Sequence, residues 1–176
     1  AANLKQLGLA TKMYTGDNNG FMPPEWTSSQ SGWPGHAGVV SWRGYLFNYV
    51  NSTEVYVCPG APQFDYDTPK AGTMEEGEAV ARAGYGINNV HSAGGSADPV
   101  PGRPETVFEA PSSLITLGDS GENVFAIKSG TSTSTNDPGF VRTQVAQQVP
   151  WATRHNNGAN YAYADGHAKW STPQSI

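Results

Sequence analysis

Apolar positions along this chain follow two different rhythms. In residues 2–15, Leu4, Leu7, Ala10 and Tyr14 recur at three- and four-residue spacing, flanked by Leu9 and Met13, while Lys5, Gln6 and Lys12 take the other face. That period predicts an amphipathic helix whose stripe Leu4, Leu7, Ala10 and Tyr14 seats it against a sheet. Gly16-Asp17-Asn18-Asn19-Gly20 then supplies residues that end a helix and turn the chain. Only Asn3 could cap its start, so the segment reads as the end of a longer helix. A second, short helix is predicted at Trp42–Val50, with Ser41 as its N-cap.

The second half changes to short β-capable runs: residues 85–90, 114–117, 123–127, 160–164 and 167–170. Asp165-Gly166 lies between the last two and predicts a type I′ hairpin, in which both central residues take positive φ. Residues 54–58 form a short apolar run ended by Pro59-Gly60. Between these runs the chain is loop-like. Glu75, Glu76 and Glu78 fit one helical turn within 61–82, and 128–139 is a Ser/Thr/Gly/Asn tract. The order predicts an α+β fold with segregated elements: a long N-terminal helix packed on a loop-rich antiparallel β-sheet, not alternating βαβ units. The 176 residues fit one domain, with 1–16 as the helix and 17–176 as a globular head.

Composition refines this picture. With 21 Gly and 13 Pro, loops are long and strands short. Leu and Ile number only six and four, so the five Trp and eight Tyr must supply much of the core. The net charge of −5 has no Lys/Arg cluster within it, which excludes a nucleic-acid footprint and a basic membrane-surface face. Cys58 is the single cysteine, so no disulfide closes within the chain and no zinc site of several thiolates exists. No 18-residue apolar run is present.

Few motifs suggest chemistry. Gly118-Asp119-Ser120-Gly121 matches the tetrapeptide around a serine-protease nucleophile, but His36 lies in a loop and no triad context surrounds Ser120, so a tight turn after residues 114–117 is the better reading. Gly84-Tyr85-Gly86 lacks the third Gly and the helix of a dinucleotide loop. Asp119, His155, Asp165 and His167 offer donors for Zn²⁺; Asp119, Asp137 and Asp165 with loop carbonyls suit Ca²⁺ instead. The bland alternative is that Asp165 bonds within its own turn and His155 bonds backbone or Asp165 across the hairpin, at about 1–3 kcal/mol for such a buried bond. On that reading no cofactor is needed, and His155, Asp165 and Gly166 form a structural motif. Trp26 and Trp33, in a Pro/Gly loop, are the tryptophans best placed to stack on a sugar.

The stretch from Arg154 to His167 carries a resemblance. His155, nine intervening residues, then Asp165-Gly166 resembles the H-X9-DG signature of prepilin-type pseudopilin-like proteins, within the type II secretion and type IV pilin superfamily. Asn3-Leu4-Lys5-Gln6-Leu7-Gly8-Leu9-Ala10 resembles the part of their N-terminal helix just beyond the membrane. Tyr56-Val57-Cys58-Pro59, Tyr85-Gly86-Ile87-Asn88 and Pro111-Ser112-Ser113 ahead of Asp119 follow in family order. The resemblance implies a non-enzymatic structural subunit of a secretion pseudopilus or pilus-like fibre. It further implies prepilin cleavage and methylation, periplasmic location, inner-membrane anchoring through an apolar helix upstream, and partners among other pseudopilins and the secretion machinery. Lys5 and Lys12, on the polar side of the helix, would meet those neighbours. It also implies a Cys just ahead of Asn3 in many members, with which Cys58 could pair. The alternatives are an exported metal-dependent hydrolase and a carbohydrate-binding module.

Overall fold

The computed structural model describes residues 1–27, 40–61, 84–88, 100–120, 124–125, 153–172 and 175–176. The expected helical turn at Glu75–Glu78, the 128–139 tract, His36, Trp33 and Asp137 lie outside them. The elements in chain order are α1 (Ala2–Asp17), β1 (Trp26–Thr27), β2 (Val40–Ser41), α2 (Trp42–Val50), β3 (Tyr85–Asn88), β4 (Ile115–Asp119), β5 (Val124–Phe125), β6 (Ala159–Tyr163) and β7 (Ala168–Ser171), with 3-10 turns at Thr53–Tyr56 and Glu105–Val107.

This is an α+β fold. Strands β3, β4, β6 and β7 make an antiparallel sheet in the order β3-β4-β6-β7, and β1 pairs antiparallel with β2 apart from it. One edge departs from the antiparallel expectation: β5 pairs parallel to β3 through Ile87 and Asn88. The apolar run at 54–58 forms a 3-10 turn followed by extended chain, not a strand.

Helix α1 lies on this sheet. Leu4, Leu7 and Ala10 are buried in one cluster with Trp42 and Leu46 of α2, Ile87, Leu117 and Ala162. Full burial of each leucine contributes about 1.5–3 kcal/mol. Tyr14 corrects its expected role: it is half-buried and meets α2, edge-on to Tyr45 and Tyr49 at 5.8 and 6.1 Å. Thr11 and Thr15 are buried too, and each hydroxyl donates to the carbonyl four residues back. Lys12 is not free on the polar side, because its ammonium pairs with Glu105, whereas Lys5 is exposed. Leu9 and Met13 are exposed at 52% and 56%. No helix among the described residues is long and apolar enough to cross a membrane.

The helix approaches the sheet closely because both surfaces are small there. A Cβ on Gly8 would stand 3.0 Å from the Gly166 carbonyl and 3.3 Å from Ala162 Cβ. On β6, Ala159, Tyr161 and Tyr163 pack into a second cluster with Ile115, and Ala162 alone joins the helix side. Ile115 and Leu117 have equal parity on β4 yet serve different clusters. A register irregularity between them permits this. Both faces of β4 and β6 are therefore covered, which is why neither strand alternates cleanly in sequence.

Helix α2 matches its predicted bounds, with the Ser41 hydroxyl accepting from the Arg43 N–H and Asn51 closing it in the left-handed conformation. Arg43 is fully buried. Its guanidinium donates to the Tyr85 carbonyl at 2.6 Å and lies 4.6 Å from the centre of the Trp42 ring.

The terminal hairpin differs from the type I′ expectation. Gly166 has φ +91°, but Asp165 does not take positive φ. Gly166 N donates to Tyr163 O, and Tyr163 N donates to His167 O, so the loop has three residues and bulges at Gly166. A two-residue loop of the I′ kind occurs eight residues earlier. Asn156 and Asn157 have φ +52° and +61°, and His155 and Gly158 exchange both backbone hydrogen bonds at 2.9 and 3.1 Å.

Candidate functional site

Three segments far apart in sequence converge at the end of β4. Cys58 follows the 3-10 turn and begins a β-turn through Pro59-Gly60, closed by Ala61 N donating to Cys58 O. Asp119 ends β4, two residues beyond the strand expected at 114–117, so Gly118-Asp119 is strand and not a tight turn. His155 opens the Asn156-Asn157 turn, and its carbonyl accepts from the Trp170 indole at 2.6 Å.

Their side chains meet. His155 Nε2 lies 3.4 Å from Cys58 Sγ and 3.3 Å from Asp119 Oδ1. Cys58 and Asp119 are buried, and the His155 side chain is 30% exposed. Asp119 Oδ2 accepts from the backbone and side-chain amides of Asn160 at 2.6 and 3.2 Å. Oδ1 has no hydrogen bond among the described residues and faces Arg154 Nη1 at 3.6 Å. That guanidinium also donates to Gly84 O and Ser120 O, tying β3 to β4. The Tyr85 phenol hydrogen-bonds Cys58. Burial first, then the neighbouring Cys58 and Asp119, push its pKa far up, while Arg154 opposes, so the hydroxyl stays neutral.

This arrangement is not a nucleophile–base–acid relay. A relay needs the two imidazole nitrogens to serve different partners, one the nucleophile and the other the carboxylate. Here sulfur and carboxylate converge on the same nitrogen. Ser120, the residue of the protease-like tetrapeptide, is fully buried, and its N–H donates to Gly84 O.

Of the residues expected at a metal, Asp119 and His155 come together, while Asp165 and His167 do not join them. Asp165 Oδ1 accepts from the His167 backbone at 3.0 Å and lies 2.6 Å from its ring, and that ring stacks on Tyr163 at 4.2 Å. Slight burial opposes it, but these bonds hold the Asp165 carboxyl below its ordinary value. The expected His155–Asp165 contact is therefore absent for a geometric reason. The nine residues between them contain the I′ turn and all of β6, a five-residue strand roughly 17 Å long, so the two side chains stand at opposite ends of it. Gly166 instead sits against α1 beside Gly8 and Lys12.

Cys58 and Arg154 are the members that sequence reading missed. The available signal was positional: Cys58 precedes a Pro-Gly turn, and Arg154 adjoins His155. Gly84 is required for the cluster to close. It has φ +102°, and a Cβ there would lie 2.7 Å from both Arg154 Nη1 and Cys58 Cβ. Gly84→Ala is expected to destabilise the protein by roughly 3 kcal/mol, combining left-handed strain with overpacking; a urea-unfolding midpoint equal to the parent's would refute this.

Among tryptophans, Trp42 is core and Trp170 is 44% exposed, with its indole edge packed where Gly158 leaves room. Comparison with protein families, curated proteins and solved structures finds no match for this chain.

Proposed function

We propose that the chain is a non-enzymatic assembly subunit with a pilin-like architecture, belonging to a type II secretion pseudopilus or a pilus-like fibre. The observation that carries this reading is the two-sided character of α1. One side is buried on the sheet and α2 through Leu4, Leu7, Gly8 and Ala10. The other presents Leu9 and Met13, one turn apart and more than half exposed. An apolar pair on the outside of a helix fits packing against the same helix of a neighbouring copy. Head-to-tail repetition of that contact gives an open helical array. Both contacts of His155 fall on Nε2, which does not fit a nucleophile–base–acid relay. On this reading the protein works outside the cytoplasm, anchored by an apolar extension of α1, with other pseudopilins and secretion-machinery proteins as partners.

Photocrosslinking tests it. With p-benzoylphenylalanine replacing Leu9 or Met13 in the protein expressed from its natural reading frame, irradiation is expected to give a ladder of self-crosslinked oligomers. The same probe at Glu109, exposed and outside α1, should give none. Only monomer at all three positions would sink the assembly reading.

A further inference from the structure

We infer that Cys58, Asp119 and His155 form a three-ligand site for a zinc-like, borderline-soft divalent ion. The inference does not depend on the assembly reading. It rests on the geometry of three donors of different chemistry, all within 4.8 Å of one another, at the meeting of three chain segments.

Two of the three donor separations match edges of a coordination tetrahedron, and the third lies within 4.8 Å. With ordinary zinc bond lengths of about 2.0 Å to nitrogen and oxygen and about 2.3 Å to sulfur, tetrahedral geometry sets N···O near 3.3 Å and S···N near 3.5 Å. The observed separations are 3.3 Å for His155 Nε2 to Asp119 Oδ1 and 3.4 Å for Nε2 to Cys58 Sγ. Hydrogen bonding alone accounts for the cluster less well. A single Nε2–H would serve both sulfur and carboxylate. Asp119 Oδ1, fully buried, is left without a hydrogen bond among the described residues. A buried acceptor in that condition is costly unless something else faces it.

The surroundings hold each donor in place, as ligand-supporting groups do. Asn160 occupies Asp119 Oδ2 with two hydrogen bonds, leaving Oδ1 turned to the cluster. The Tyr85 hydroxyl is the hydrogen-bond partner of Cys58. The His155 backbone is fixed by the I′ turn and the Trp170 indole. Gly60 gives the imidazole its room, since a Cβ there would lie 3.1 Å from His155 Cε1.

Charge sets the fourth position. Binding releases the Cys58 thiol proton to solvent. The thiolate and the Asp119 carboxylate then balance the ion's two charges. Arg154, 3.6 Å from Asp119 Oδ1, leaves one positive charge over, so an anionic fourth ligand such as chloride, hydroxide or a carboxylate fits best. His155 is the partly exposed member and marks the side open to it. Mixed sulfur, nitrogen and oxygen donors favour zinc over calcium or magnesium, which take oxygen.

The test is a Co²⁺ titration of chelator-treated protein, followed by Zn²⁺ displacement. One Co²⁺ per chain is expected, with a thiolate-to-cobalt charge-transfer band that Zn²⁺ abolishes. Cys58→Ser should lose the band, and Asp119→Asn and His155→Gln should bind about 100-fold more weakly, at the upper end of losses seen even for supporting groups. His167→Gln should bind as the parent does. Absence of the band, or parent-like binding by Cys58→Ser or His155→Gln, overturns the inference. X-ray absorption of the zinc-loaded parent needs no variant: one sulfur among the ligands supports the site, and an all-oxygen shell overturns it.

Discussion

Asp119→Ala is expected to lower unfolding free energy by about 3–5 kcal/mol, the cost of leaving a buried ion pair without one partner. The substitution strips the Asn160 backbone and side-chain amides of their acceptor and leaves the Arg154 guanidinium, 7% exposed, without a counter-charge among the described residues. For a chain of this size the melting temperature should fall by roughly 10 °C. Asp119→Asn keeps an oxygen where Asn160 donates and should lose less. Urea unfolding of both variants decides the matter. A loss under about 1 kcal/mol in Asp119→Ala would show that solvent reaches Arg154 and that the pair is not truly buried.

Alkaline unfolding is the second large effect. Burial pushes the phenols of Tyr56, Tyr85 and Tyr161 far above their ordinary value. Arg43 opposes this at Tyr56 and Arg154 at Tyr85, whereas Cys58 and Asp119 add to it at Tyr85, and Asp119 and Tyr163 add at Tyr161. A raised pKa in the folded state means that the stability contribution is complete below the unfolded value, about 10, and is lost as pH climbs toward the folded value. Each group approaches a loss of about 1.4 kcal/mol per pH unit once pH exceeds the unfolded value, so three together remove about 3 kcal/mol between pH 10 and 11. Phenolate absorbance should rise in one cooperative step with the loss of the far-ultraviolet signal. Tyr161→Phe should remove about a third of the slope. Its hydroxyl has no hydrogen bond among the described residues, so the substitution sacrifices none of those. Stability that stays level across this interval would mean these phenols are reached by solvent in the native state.

The sequence made the local elements readable where one period dominated. The α1 stripe and the Ser41 cap specify helices by spacing and by a single hydroxyl, and both need no knowledge of distant residues. Strand limits were harder, because β4 and β6 are covered on both faces and so lack the alternation that marks a half-buried strand. The β4 bulge that sends Ile115 and Leu117 into different clusters leaves no trace in a run of five residues. Asp165-Gly166 was misassigned because the dipeptide fits two hairpin geometries, and the loop length that separates them depends on the pairing of Tyr163 with His167. At the candidate site, Asp119 and His155 were recognisable by type. Cys58 was not, since nothing local indicates that it meets a residue 97 positions away.

That long span has a kinetic consequence. Contacts between remote segments require loop closure before they repay its entropy, so such contacts form late. The Cys58–His155 junction joins the chain after the 3-10 turn, the end of β4 and the Asn156-Asn157 turn, so it is complete only when all three are in place. Its thiol, 1% exposed in the finished protein, is shielded from bulky alkylating reagents until the cluster opens. The chain thus carries an internal reporter of complete maturation: alkylation of one sulfur distinguishes finished molecules from nearly finished ones.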